Sequence, residues 1–136
     1  MVAQLIDGKA VAKDIRDNLK KQIIELRKNS GIVPKFAVVL VGEEPASKVY
    51  VKNKRLAAIE CGMLADIIEL PVGSSYEGIK KCIHNLNRDK NTHGILIQLP
   101  LPSGIDKDLL VQEIDPLKDV DGLHPISLGK LLQGND

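Results

Sequence analysis

The feature that most limits what this chain can become is the run PKFAVVLVG at residues 34–42. It is too compact and too rich in Val for an ordinary surface helix, it ends in Gly, and it has no polar alternation. Such a run fits a strand buried on both faces, and strands of that kind belong to parallel sheets covered by helices. The flanking sequence supplies the covers. After a short apolar start at Val2 to Ile6, Asp7 is placed to cap a long helix in which Val11, Ile15, Leu19, Ile23 and Leu26 recur at spacings of three and four, ending near Asn29 to Gly31. Pro45 suits the first turn of a second helix that runs to about Cys61 and Gly62. MLADIIELP (63–71) then reads as a strand, SSYEGIKKCIHNLNRD (74–89) as a helix with Ile79, Ile83 and Leu86 inward, GILIQLP (94–100) as a third strand, and IDKDLLVQEI (105–114) as another helix. Strands alternating with helices of this length give an α/β protein, a parallel sheet with helices packed on its faces.

At 136 residues the chain is of single-domain size and able to bury roughly 70% of the surface its unfolded form exposes. The formal net charge is +1, and one Phe, two Tyr and no Trp leave little with which to stack bases, so nucleic acid is not an expected partner. Cys61 and Cys82 form no CxxC and match neither a zinc motif nor a disulfide framework. They read as small apolar residues in a reducing compartment. No stretch approaches the roughly 20 apolar residues of a membrane span, and MVAQLIDGKAVAKDI has no signal-peptide core, so no membrane association and a cytoplasmic location are the expectations.

The second helix carries the most suggestive chemistry. In SKVYVKNK, Ser47, Tyr50 and Lys54 lie at offsets of three and seven, which puts a hydroxyl, a phenol and an ammonium on one stripe. In an open parallel sheet ligands gather outside the carboxyl ends of the strands, the edge to which GEEPAS (42–47) delivers this helix and near which Gln98 should sit. An amine serves as a base near neutral pH only if its surroundings hold its pKa well below the usual ~10.4, and burial beside Val51 and Tyr50 is the expected means here. Lys48, Lys52 and Arg55 share the helix, so a solvated charged face is the competing reading for Lys54. For Ser47 the favoured reading is a first-turn hydroxyl satisfying helix amides.

DVDG (119–122) suggests calcium and fails the test. Aligning Asp119, Asp121 and Gly122 to positions three, five and six of a calcium loop puts Leu117 at position one and Leu128 at position twelve, where carboxylates are needed. A turn is the simpler reading, with Asp121 available to accept hydrogen bonds from an N–H-rich heterocycle. His84, His93 and His124 show no metal-ligand spacing, and neither GxGxxG nor GxxxxGK[ST] occurs.

Taken in order, EPASKVYVKNK, GILIQLPLP and PLKDVDGLHPISLGKLL resemble the catalytic domain of the bifunctional methylenetetrahydrofolate dehydrogenase/cyclohydrolase family, and the opening LIDGKAVAKDIR extends the resemblance to almost the whole chain. The resemblance implies a three-layer α/β/α sandwich over residues 1–136, without the Rossmann domain that holds NADP in the family. It implies one-carbon metabolism with tetrahydrofolate as the substrate carrier: methylene-tetrahydrofolate is oxidised with NAD(P), and the methenyl product is hydrolysed to the formyl form. By motif match, Lys54 would manage protons as water adds to the methenyl carbon, and Tyr50 would pack against the folate rings. Gln98 would position Lys54, Asp121 would bind pterin nitrogens, and Ser47 would support them. It also implies a homodimer, and a chain that is part of a longer enzyme and lacks dehydrogenase activity alone. A non-catalytic folate-binding or dimerisation module remains the alternative.

Overall fold

The computed structural model describes residues 6–134; residues 2–5 of the apolar start, and Asn135 and Asp136, lie outside the described part. Helix α1 (Gly8–Ser30) begins at Asp7, whose Oδ1 accepts from the backbone N–H of Lys9 at 3.0 Å and Ala10 at 3.1 Å. These are two of the donors that a helix start leaves without partners. Strand β1 (Lys35–Val41) follows, then α2 (Pro45–Cys61), β2 (Leu64–Leu70), α3 (Tyr76–Arg88), β3 (Gly94–Ile97), the short α4 (Lys107–Val111) and α5 (Pro125–Leu132). Helix α2 stops where Gly62 turns left-handed at φ 88°, a conformation that costs Gly little and other residues much.

The three strands form one parallel sheet in the order β2-β1-β3, with Val38 opposite Ile67 on one side and Leu96 on the other. Successive strand residues face opposite ways, and that alternation divides the core in two. Val39, Val41, Ile95 and Ile97 pack with Ile79 and Ile83 of α3 and Leu110 and Val111 of α4. On the other face Val38, Leu40 and Leu96 pack with Val51 of α2. Each fully buried Ile or Leu of this kind contributes roughly 1.5–3 kcal/mol by leaving water. The result is the expected α/β sandwich, with β1 buried on both faces and β2 a half-exposed edge.

Helix α1 forms an outer layer on α2, and its contact stripe keeps Leu19 and Ile23 of the predicted one but not Val11, Ile15 or Leu26. Ile23 is its buried residue, the less exposed positions Ala12, Arg16 and Leu19 lead up to it, and Cys61 of α2 lies against the Arg16 carbonyl. Val11 and Ile15 are 52% and 61% exposed. Its main neighbour is α2, so only a narrow stripe finds apolar cover. In the α3–α4 layer, Glu113 accepts from the Tyr76 hydroxyl at 3.2 Å and pairs with Lys80 at 2.9 Å and His84 at 2.7 Å, tying the turn after α4 to α3. The GILIQLP strand ends at Ile97, so Gln98 lies just beyond it, and the Leu99–Pro100 peptide is cis. Beside β3 the chain returns for a single parallel bridge between Ile95 and Asp119, fixed by the Ile95 N–H donating to the Lys118 carbonyl at 2.7 Å. Among the described residues no helix is long and apolar enough to cross a membrane.

Candidate active site

Helix α2 lies over β1 and β2 and leaves the same face of β3 open. Gly94, Leu96 and Gln98 share that face by strand alternation, although Gln98 is already past the last strand residue. The uncovered ground is a cleft of about 410 Å³, floored by Phe36, Leu96 and Met63, with Lys54 on one side and Val120 and Asp121 on the other. Its lining reaches the amino-terminal ends of the strands. Gln98 is not among the lining residues, so the carboxyl-end rule places Gln98 and not the cleft.

Across this face the Lys54 Nζ donates to Gln98 Oε1 at 3.1 Å. Gln98 is buried, and its Nε2 donates to the Leu99 carbonyl at 2.7 Å. That second bond settles the orientation of the amide: the nitrogen is taken by a carbonyl, so the oxygen faces the lysine. A free lysine head samples many rotamers, whereas this one is held by an acceptor that is itself held.

The predicted convergence of Ser47, Tyr50 and Lys54 does not form. An offset of three falls about 60° short of a full helical turn, enough on this helix to carry the chain from its buried side to its exposed side. Ser47 is buried, and Tyr50 is 62% exposed and does not line the cleft. Ser47 is not the cap either. Its N–H and Oγ both donate to Glu44 Oε2, at 2.8 and 2.6 Å, and these bonds hold the Glu44 carboxyl below its usual pKa. Sequence reasoning missed Glu44, because glutamate is not among the preferred capping residues. Tyr50 does not supply the expected burial, and Lys54 is half-buried, while Val51 is buried as anticipated.

On the opposite wall DVDG is a turn. Asp119 Oδ1 accepts from the Gly122 N–H at 3.0 Å and Oδ2 from the His124 N–H at 2.9 Å, and Asp121 stands exposed at the cleft. Gly94 is what lets this wall approach the sheet. A Cβ there would overlap Cγ1 of Val120 and press on Cβ of Phe36 at 3.3 Å. A Gly inside a strand pattern is the signal that could have revealed this close approach.

The remaining candidates are structural. His93 Nδ1 accepts from the Lys35 N–H at 3.1 Å, His124 is the cap of α5 through the Ile126 N–H at 3.1 Å, and His84 pairs with Glu113. No group of His, Cys, Asp and Glu among the described residues is arranged to hold a metal ion. Both cysteines are free thiols, and burial pushes that of Cys82 up.

Fold and cleft together define an α/β small-molecule domain with an amide-held amine facing a carboxylate. Residues 6–121 match the family model described as tetrahydrofolate dehydrogenase/cyclohydrolase, catalytic domain, and the chain belongs to that family. It is 46% identical over 133 residues to the bifunctional protein FolD of Streptococcus uberis, covering 98% of this chain and 47% of that protein. The crystal structure of the bifunctional FolD methylenetetrahydrofolate dehydrogenase/cyclohydrolase from Campylobacter jejuni superposes with a TM-score of 0.94 at 44% identity, over 98% of this chain and 47% of that one. The Trypanosoma brucei enzyme, complexed with NADP cofactor and inhibitor, gives 0.90 at 37% identity, over 95% of this chain and 44% of that one. The chain thus spans about half the length of the relatives it matches.

Proposed function

We propose that residues 1–136 form the folate-site domain of an enzyme that oxidises 5,10-methylene-tetrahydrofolate and hydrolyses the 5,10-methenyl product to 10-formyl-tetrahydrofolate. The observation that carries this reading is the Lys54–Gln98 hydrogen bond at 3.1 Å, on a cleft whose other wall presents Asp121. The methenyl carbon is a cationic amidinium. Water adds to it, a C–O bond forms, and one proton must leave the water. Lys54 in its amine form takes that proton, with Gln98 aiming its nitrogen. The carbon–N5 bond then breaks as the hydroxyl proton passes to N5, leaving the formyl group on N10. One proton is released overall, and Lys54 returns it to solvent. Asp121 accepts from the pterin N–H groups, and Tyr50, exposed on α2 one turn before Lys54, stacks on the ligand once it is seated. Ser47 supports them by fixing the first turn of α2 through Glu44.

NADP is the proposed hydride acceptor of the whole enzyme, in line with the NADP-bound Trypanosoma brucei relative. Neither the turn after β1 (GEEPAS) nor that after β2 (PVGSS) is a glycine-rich dinucleotide turn, so the residues present do not fit the cofactor and no hydride step is derived from them. A homodimer and a cytoplasmic location are part of the same proposal, to be checked by sedimentation and by cell fractionation.

The test is methenyl-tetrahydrofolate hydrolysis by this chain against Lys54→Met, followed by loss of absorbance and corrected for the spontaneous reaction. Turnover that vanishes in the variant supports the proposal. Equal rates in the two proteins remove Lys54 from the chemistry.

A further inference from the structure

The DVDG turn offers two carboxylates two residues apart, and the structure gives them opposite environments. Asp121 is exposed at the cleft, while Asp119 is half-buried behind it. Both oxygens of Asp119 are engaged inside the turn, one by the Gly122 N–H and the other by the His124 N–H. Burial alone would raise its pKa, yet the His124 N–H, the Ser127 hydroxyl and the Gly122 and Leu123 N–H groups outweigh it and hold the carboxyl below the usual range. The Asp119 backbone is itself fixed to the sheet by the bridge to Ile95. His124 in turn caps α5. Asp119 therefore joins three things: the edge of β3, the closure of the loop around residue 121, and the start of the last helix.

We propose that Asp119 is a positioning residue, whose carboxylate closes the 119–124 loop and so sets Asp121 across the cleft from Lys54; the ligand named in the test rests on the folate reading. An Asn side chain has nearly the same volume but replaces one acceptor oxygen with a donating NH2. It serves Gly122 or His124 and not both, so one side of the loop must open.

The experiment uses this chain with Asp119→Asn, Asp119→Glu, Asp121→Asn and the double variant Asp119→Asn/Asp121→Asn. Tetrahydrofolate affinity is measured by calorimetry, and amide hydrogen exchange at Gly122 and His124 is followed by NMR beside the β1 amides. Asp119→Asn is expected to weaken tetrahydrofolate binding about tenfold or more, the size of losing one charge-assisted acceptor, and to speed exchange at Gly122 and His124 while Ala37–Leu40 stay protected. Asp119→Glu, which keeps both oxygens, should recover part of the affinity. In the Asp121→Asn background, adding Asp119→Asn should change affinity by less than about threefold, because a residue that acts through Asp121 has nothing left to position. Full additivity in the double variant, or unchanged exchange at Gly122 and His124, overturns the proposal. If Asp119→Asn does not fold, Asp119→Glu carries the comparison: weaker binding with protected strand amides supports positioning, and wild-type binding with wild-type loop exchange refutes it. Absence of tetrahydrofolate binding by the unsubstituted chain overturns the folate reading instead, and the exchange arm alone then decides whether Asp119 shapes the loop.

Discussion

Lys118 tests how the site wall is anchored to the fold, and it does so through stability alone. Its Nζ donates to three carbonyls at the end of α3: Leu86 at 3.0 Å, Asn87 at 2.7 Å and Asp89 at 2.8 Å. Carbonyls in the last turn of a helix lack intrahelical partners and carry the negative end of its dipole, so a cation there is favourable twice over. Lys118→Met keeps the apolar stem and removes the ammonium. A hydrogen bond to a charged group is worth about 1.5–3 kcal/mol, but three bonds sharing one ammonium do not add, and the freed carbonyls regain some water. A total loss of about 2–4 kcal/mol follows. With a urea slope of roughly 2 kcal/mol per molar, the unfolding midpoint should fall by about 1–2 M with the slope unchanged. Urea unfolding followed by far-UV circular dichroism measures this directly. A midpoint within about 0.3 M of the unsubstituted chain would refute the reasoning, because the carbonyls would then be as well served by water as by Lys118.

Two further outcomes are expected. Gln98→Leu should leave the chain within about 1–2 kcal/mol of its normal stability in urea, yet slow methenyl-tetrahydrofolate hydrolysis by roughly ten- to a hundredfold, since the loss falls on the aiming of the amine; a wild-type rate beside an inactive Lys54→Met would separate Gln98 from the chemistry. Asp89, whose carboxyl is lowered to about 2 by the Thr92 hydroxyl, the Asn91 N–H and Lys35, binds its proton more weakly folded than unfolded, so its contribution is present above the ordinary value of 3.8 and is lost as pH falls toward about 2. Asp89→Asn should flatten the acid limb of stability between those values, and an unchanged limb in pH-dependent melting would show that other carboxylates set it.

The elements as far as α4, and their order, were legible in the sequence, whereas α5 was not read from it. Periods of two and of 3.6 are local properties, and so are the Asp7 cap, the Pro45 start and the Gly62 stop, which is why the helix and strand limits fall within a few residues of expectation. The sequence also singled out Lys54, Gln98 and Asp121, because an amine, an amide and a carboxylate stood in motifs with a family resemblance. What lay outside its reach was everything set by contacts between distant segments. The order β2-β1-β3, the α2 face left open over β3, and the 3.1 Å contact between residues 54 and 98 depend on how layers stack. The same holds for Ser47 and Tyr50, neighbours on a helical wheel, one buried and one exposed once α2 rests on the sheet. DVDG makes the division plainest: its two carboxylates are alike in the sequence, and only the approach of Val120 over Gly94 and the bridge at Ile95 decide that Asp119 turns inward to the loop amides while Asp121 is left to the cleft.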